Sequence, residues 1–399
     1  MNAIRHIWKS PSLSELGFSL LTVFLALLVG GLAMAFTGAN PLNVYKDLWV
    51  GAGFDWPFHL IPGNPFGVEA LLAENNLVST LVQFTPLVFT GFAVAFAFRC
   101  GLFNIGGTGQ FWVGSVCALL VAQRVGGPTG MILATMAAGV GGAIWAGLAG
   151  GLKAYRGAHE VITTIMLNWI AIYTTQYFFA VGGPLTDNSV GNGVSKPIET
   201  SAQYPGLWGV VQEIHIGIFI ALACAVVYYV VLNRTTLGYE VRAVGFNPEA
   251  ARYGGISVKR SMIASMAICG AFAGLAGAIQ VLGVSYSIAS SDVPVLDIGF
   301  TGIAVALLGR NTAIGVVLSA LLFAALQSGG RQLSGSFSPE LASGVSSIIQ
   351  GTIILLVGGE LIVRWLVARA KRERAEIATT TAGPSPPAAA APPPGVGPA

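Results

Sequence analysis

The string HEVIT, which starts at His159, begins like the HExxH of a zinc hydrolase, where two histidines one helical turn apart hold the metal. Position 163 is Thr163, so the second imidazole is missing and the zinc chemistry with it. Cys100, Cys117, Cys224 and Cys269 stand singly, without the CxxC or Cys/His spacing of a metal site. The last three fall in apolar runs, where Cys behaves as a small hydrophobe. No GxSxG string offers a serine nucleophile on a strained turn. A phosphate-cradling loop needs GxxxxGK followed by Ser or Thr, and the dipeptide Gly-Lys does not occur. His6, His59 and His215 are scattered as well. These patterns predict no catalytic residue, no metal and no cofactor in this chain.

What remains is polar chemistry suited to binding. In FNIGGTGQ, Asn104, Thr108 and Gln110 flank Gly106, Gly107 and Gly109, a glycine density that disfavours a straight helix and permits close backbone approach. In HEVITTIMLN, Glu160, Thr164 and Asn168 recur at steps of four and share one helical face. Each set has two readings, as caps and packing contacts or as the lining of a path for a polar solute. Gln280, Asp292 and Asp297 form a third set, near the end of another apolar run. Trp145, Trp169 and Phe300 carry rings that stack on a base or sugar in one reading and face lipid in the other.

The elements that must position these groups are apolar helices. Hydrophobic residues make up 54% of the 399, charged ones 9%, and the mean hydropathy is +0.72. Soluble domains carry about 25% charge, so most of this surface does not face water. The expected fold is an all-α polytopic membrane protein, since roughly 20 apolar residues span the hydrocarbon as a helix. Ten segments are expected, at 18–37, 77–98, 103–122, 130–151, 160–182, 214–232, 261–283, 296–309, 312–328 and 342–363. The eighth, LDIGFTGIAVALLG, is short for a span and is expected to be broken or re-entrant. The first is too long for a signal-peptide core and reads as an uncleaved helix. The GxxxG pairs Gly147/Gly151 and Gly270/Gly274 are expected to tighten helix packing.

An N-in topology puts all but four of the 20 Lys and Arg on one side, the exceptions being Lys46, Arg124, Lys196 and Arg331. Cytoplasmic loops attract Lys and Arg, so N-in and C-in is the expected orientation. The domain organisation follows: a cytoplasmic N-terminus at 1–17, a membrane domain at 18–366, and a basic then Pro/Ala-rich tail at 367–399, expected to be disordered. Two turn-rich external loops, 38–76 and 183–213, complete it.

The largest cytoplasmic loop, 233–260, is a charged island in a chain that elsewhere avoids charge. Within it NPEAARYGG punctuates a short helix. Asn247 suits the N-cap, Pro248 the first helical position and Glu249 the positive end of the dipole, while Gly254 or Gly255 can end it in a left-handed conformation. About two turns are marginal alone, so this helix needs a surface to dock on.

TTLGYEVRAVGFNPEAARYGGI resembles the cytoplasmic coupling loop of ABC-importer permeases of the branched-chain amino acid, ribose and nucleoside group. RCGLFNIGGTGQFWVG and GAHEVITTIMLNWIA resemble motifs of its simple-sugar and nucleoside subfamily, in the same order along roughly residues 77–363. The family often has GGEGQ where this chain has Thr108, so the resemblance supports no essential carboxylate there.

The resemblance implies that Asn247, Pro248, Glu249, Ala250, Arg252 and Tyr253 contact a separate ATPase, which holds the ATP and Mg. It implies a second permease, a paralogue of this one, and an external substrate-binding lipoprotein. The cargo is expected to be a nucleoside or simple sugar, and the place the bacterial cytoplasmic membrane. Candidates to line the path are Asn104, Thr108, Gln110, Thr164, Asn168 and Gln280; no nucleic acid polymer is expected as partner. The rival, an ion-gradient-driven secondary transporter, calls for acids deep in the membrane, yet the acids here sit mostly near segment ends.

Overall fold

The computed structural model describes residues 13–36, 38–55, 75–189, 191–207, 214–293, 298–333 and 339–358. Thirteen α-helices run through the described residues: α1 Leu13–Phe36, α2 Pro41–Gly51, α3 Asn75–Arg99, α4 Gly107–Ala122, α5 Gly127–Arg156, α6 Glu160–Phe179, α7 Gly217–Arg234, α8 Thr236–Phe246, α9 Pro248–Tyr253, α10 Val258–Gln280, α11 Ile298–Leu308, α12 Ala313–Leu333 and α13 Pro339–Gly358. Between them the described residues hold isolated β-bridges, a 3-10 turn at Thr200–Ala202 and a π-helical turn at Val281–Ser285. Each expected apolar segment coincides with one helix: α1, α3 to α7 and α10 to α13. Six of these, α1, α3, α5, α7, α10 and α12, are long and apolar enough to cross a membrane; α4, α11 and the described apolar part of α13 are shorter, and the 20-residue α6 is not among the six. With 11 residues, α11 reaches about 16 Å, roughly half the hydrocarbon thickness.

Two helices went unexpected. Loop 38–76 contains α2, and loop 233–260 contains α8 ahead of the expected α9. The signal for α2 is visible in hindsight: Asn40 caps it, its Oδ1 accepting from the Leu42 N–H at 3.0 Å, and Pro41 follows. Asn247 and Pro248 use the same device. For α8 the cap is Thr235, whose hydroxyl accepts from the Gly238 N–H at 3.1 Å.

Helix α3 occupies the centre: 78% of its apolar stretch is buried, against 22% for α1, α5 and α7 at the periphery. Phe92 and Phe96 of α3 meet Tyr228 of α7, the Phe92 ring stacked on it at 4.7 Å, and Phe272 of α10 closes the group. α5 lies along α10 backbone to backbone. A Cβ at Gly270 would overlap the Gly142 carbonyl, and one at Gly274 the Ala138 carbonyl. The pair Gly270/Gly274 thus tightens packing as expected. Gly147/Gly151 does not: both face open space, because α5 presents Gly142 and its neighbours, not that pair, to α10.

The two ends of the bundle are distinct. At one end the Cys100 thiol approaches the Ser261 carbonyl at 3.9 Å, Lys259 sits 5.2 Å from the Tyr155 ring centre, and Lys153 pairs with Glu160 at 2.8 Å. Arg99, Arg310 and the charged island belong to this end. At the other, the segment 193–206 is laced onto the chain after α10. Ser195 N–H donates to Ile288 O at 2.9 Å and Tyr204 N–H to Leu282 O at 2.8 Å. The Gln123 amide donates to Lys196 O there at 2.6 Å. Residues 1–12, 359–399 and Asp297 lie outside the described residues, and with them most of both expected terminal regions.

Candidate functional site

The island folds as two short helices in series. α9 has six residues, too few to persist by its own hydrogen bonds. Its start is held by Asn247, whose Oδ1 accepts from the N–H groups of Glu249 at 3.0 Å and Ala250 at 3.1 Å, a cap worth about 1 kcal/mol. Its end turns at Gly255, φ +80, where the Gly255 and Ile256 N–H groups donate to Arg252 O and Ala251 O. Ala251 alone is buried, against the body of the protein. Glu249 and Arg252 pair at 3.4 Å, but both are exposed and such a pair contributes about 0.2–1 kcal/mol. Phe246 and Tyr253 stand 91% and 94% exposed at the two ends of α9. Two bare aromatic rings, an acid and a guanidinium on one capped knob make a surface suited to a protein partner, since aromatic and Arg side chains carry much of the energy of such contacts.

The island is seated by contacts that sequence reading did not anticipate. A Cβ at Gly245, near the end of α8, would overlap the Arg99 carbonyl oxygen, and a Cβ at Gly101 would lie 3.4 Å from the Gly245 Cα. Arg99 ends α3 and sends its guanidinium across the bundle. Its Nη2 donates to Asn311 O at 2.8 Å and to Arg310 O at 3.4 Å, and its Nε to Asn311 O at 3.2 Å. Tyr228 Oη donates to the same Asn311 carbonyl at 2.8 Å. The loop so gripped joins α11 to α12, and Arg310 and Asn311 both have left-handed backbones, φ 52 and 53. Such a conformation costs a non-glycine residue about 1 kcal/mol or more, so the loop is held, not relaxed. Arg99 had counted only as one more inward-facing cation. Partners 212 residues away leave no mark on local sequence.

Five of the six residues expected along a pathway come together. Asn104 and Gln110 exchange amide hydrogen bonds at 3.0 and 2.9 Å. Asn168 of α6 accepts from Gly109 N–H at 2.7 Å and donates to Ile105 O at 2.7 Å, while Ile105 N–H reaches Thr164 Oγ1 at 3.4 Å. Thr108 is buried beside them, and Gly299 of α11 packs against its backbone. The cluster binds α4 to α6 with the polar atoms turned on one another. A Cβ at Gly109 would lie 2.9 Å from the Asn168 Cα, which is why glycine stands there.

Gln280 ends α10, away from this cluster, and its carbonyl accepts from Ser285 Oγ at 3.0 Å. Asp292 is exposed on the loop beyond. Trp169 stacks on Tyr173 at 5.7 Å with both rings half or more exposed, and Phe300 is likewise exposed. Glu160 is engaged with Lys153. Among the described residues no group of three His, Cys, Asp or Glu could hold a metal ion.

Comparison with known proteins fits this arrangement. The chain is 38% identical over 91% of its length to the guanosine ABC transporter permease protein NupP of Bacillus subtilis, covering 99% of that protein. It is 32% identical over 91% of its length to the nucleoside ABC transporter permease protein NupB of Lactococcus lactis, covering 96% of it. It is also 33% identical over 93% of its length to the glucose ABC transporter permease protein TsgB13 of Haloferax volcanii, covering 95%. No solved structure matches it. Residues 76–358, from α3 through α13, match the family model described as the permease component of the branched-chain amino acid transport system, and the chain belongs to that family.

Proposed function

We propose that this permease of an ABC importer forms part of the path for a nucleoside across a bacterial cytoplasmic membrane, with a simple sugar as the second cargo class. A separate ATPase drives it through α9. The observation that carries this reading is the capped, aromatic-bearing knob at 246–253, exposed except for Ala251 and joined through Gly245 to the C-terminal turn of α3. Two relatives named for guanosine and nucleoside favour the nucleoside, and one named for glucose keeps the sugar in view. None of the three is named as an ion-gradient carrier.

In this proposal ten helices cross or enter the membrane with both termini inside, and α11 enters part of the way. The bundle end that carries Arg99, Lys153, Lys259 and Arg310 faces the cytoplasm, in keeping with the excess of Lys and Arg there. The ATPase, a paralogous second permease and an external lipoprotein complete the transporter, and ATP with Mg resides in the ATPase. Asn247, Pro248, Glu249, Ala250, Arg252 and Tyr253 meet that ATPase. The cluster of Asn104, Thr108, Gln110, Thr164 and Asn168 sets the shape of the pathway wall between α4 and α6, and Gln280 lies toward its outer end.

Deleting 247–253, or changing Arg252→Glu, tests the reading. Membrane insertion should persist while ATPase co-purification and nucleoside uptake are lost. Uptake undiminished in the deletion variant would sink it.

A further inference from the structure

The island meets the Arg99 backbone at Gly245, and Arg99 is also the clamp on the α11–α12 loop. We propose that Arg99 is the positioning residue that transmits motion from the island to α11 and α12, and that the 309–312 loop is the two-state latch it controls. The inference rests on the reading of α8 and α9 as the ATPase contact.

Three observations support it. First, the island touches α3 through backbone: Gly245 lies on the Arg99 carbonyl with no side chain between to absorb displacement. Cys100 and Gly101 complete a tight turn there, Cys100 N–H donating to Ala97 O at 2.9 Å and Gly101 N–H to Phe98 O at 3.1 Å. Pushing α8 therefore moves the root of the Arg99 side chain.

Second, the planar guanidinium meets two successive carbonyls, with Nη2 reaching both Arg310 O and Asn311 O. A lysine ammonium keeps the charge but lacks this fork. The carbonyls follow the C-terminus of α11, where a cation is favoured by the helix dipole as well.

Third, the gripped loop is under tension. Arg310 and Asn311 are left-handed in succession, and Asn311 Oδ1 is buried without a hydrogen-bond partner among the described residues. Around them the loop is well tied. Thr312 Oγ1 caps α12 by accepting from Gly315 N–H at 3.1 Å, and Arg310 Nε donates to Ser19 Oγ of α1 at 3.3 Å. Strain confined to two residues between firm anchors is what a bistable element requires. Withdrawal of Arg99 frees the Arg310 carbonyl, leaves the Asn311 carbonyl to Tyr228 alone and lets the loop leave the left-handed region. α11, whose Gly299 packs on Thr108 and whose Gly302 packs on Thr90, then shifts against α4 and α3.

The test uses the full transporter, this chain with its ATPase, second permease and lipoprotein, reconstituted in lipid nanodiscs. Spin labels replace the exposed Tyr239 on α8 and Ile314 on α12. Trapping the ATPase with ATP and vanadate should move the label separation by about 1–2 Å or more, the scale of helix shifts in such transitions. Arg99→Lys should retain the ATPase but lose the shift, and guanosine uptake per ATP should fall roughly fivefold or more, within the range of coupling between distant sites. Asn311→Gly makes the left-handed backbone inexpensive and removes the orphan oxygen, so the latch stays closed. Melting temperature should rise while the shift and uptake fall. If the loop is only structural, Asn311→Gly raises the melting temperature with the shift intact, and that result overturns the proposal. So does an unaltered shift in Arg99→Lys, or none in the parent while its ATPase turns over. Loss of the ATPase from the parent complex would instead overturn the reading of the island.

Discussion

Gly245 of α8 rests on the carbonyl oxygen of Arg99, the last residue of α3, with no room for a methyl group between them. A soluble-looking island and the most buried of the six long apolar helices thus meet main chain to main chain at this point.

Gly245→Ala should therefore be costly. The added carbon must displace either the α3 turn or α8, and forcing atoms into a filled site costs about 1–3 kcal/mol. Gly254→Ala is the control, because a Cβ there would lie 3.4 Å from the Ala251 carbonyl and its φ is −77. The purified protein should melt measurably lower with Gly245→Ala and near the parent with Gly254→Ala. Equal melting temperatures would show that the contact yields easily.

Asn247→Ala and Tyr253→Ala separate folding of the knob from its chemistry. The first removes the acceptor for two N–H groups and should weaken α9 by about 1 kcal/mol, lowering ATPase co-purification about fivefold. The second leaves the cap intact and removes a 94% exposed ring. Loss of a central aromatic anchor costs about 2 kcal/mol or more, some thirtyfold in affinity. Asn247→Ser or Asn247→Asp should restore the first variant. Wild-type affinity in Tyr253→Ala would place the ATPase elsewhere.

Asn168→Leu strands the Gly109 N–H and the Ile105 carbonyl inside the protein, where an unmade hydrogen bond costs about 1–3 kcal/mol. The expected outcome is a lower melting temperature and lower yield, with the apparent KM for guanosine little changed in whatever protein survives. A large rise in KM at normal stability would favour direct contact between Asn168 and cargo.

Gly270→Ala and Gly147→Ala should diverge although each belongs to a GxxxG pair. The first drives a methyl into the Gly142 carbonyl and to 2.5 Å from the Ala146 Cβ, so a loss of about 1–3 kcal/mol is expected. The second faces open space and should stay within about 0.5 kcal/mol of the parent. Thermal melts of the isolated chain in detergent read both.

Legibility in the sequence followed the range of the interaction. The ten apolar stretches became ten helices because a long apolar run and the need to satisfy backbone groups are properties of consecutive residues. The cap at Asn247 was readable for the same reason: Asn, Pro and Glu act within one turn. Helix α2 carried an equal signal in Asn40 and Pro41, obscured by the turn formers after it. Glu160, Thr164 and Asn168 could be placed on one face, but which neighbour that face would meet was undetermined.

By itself, then, the sequence determined a helical membrane protein with a capped knob, since composition, periodicity and caps are local quantities. Tertiary structure alone decided that the amides of Asn104 and Gln110 would spend their hydrogen bonds on one another and that Gly270, not Gly147, would meet a helix. It also decided that Arg99 would grip carbonyls 212 residues away. Those outcomes depend on which surfaces meet once helices pack, and a guanidinium serves a distant carbonyl as well as a nearby one.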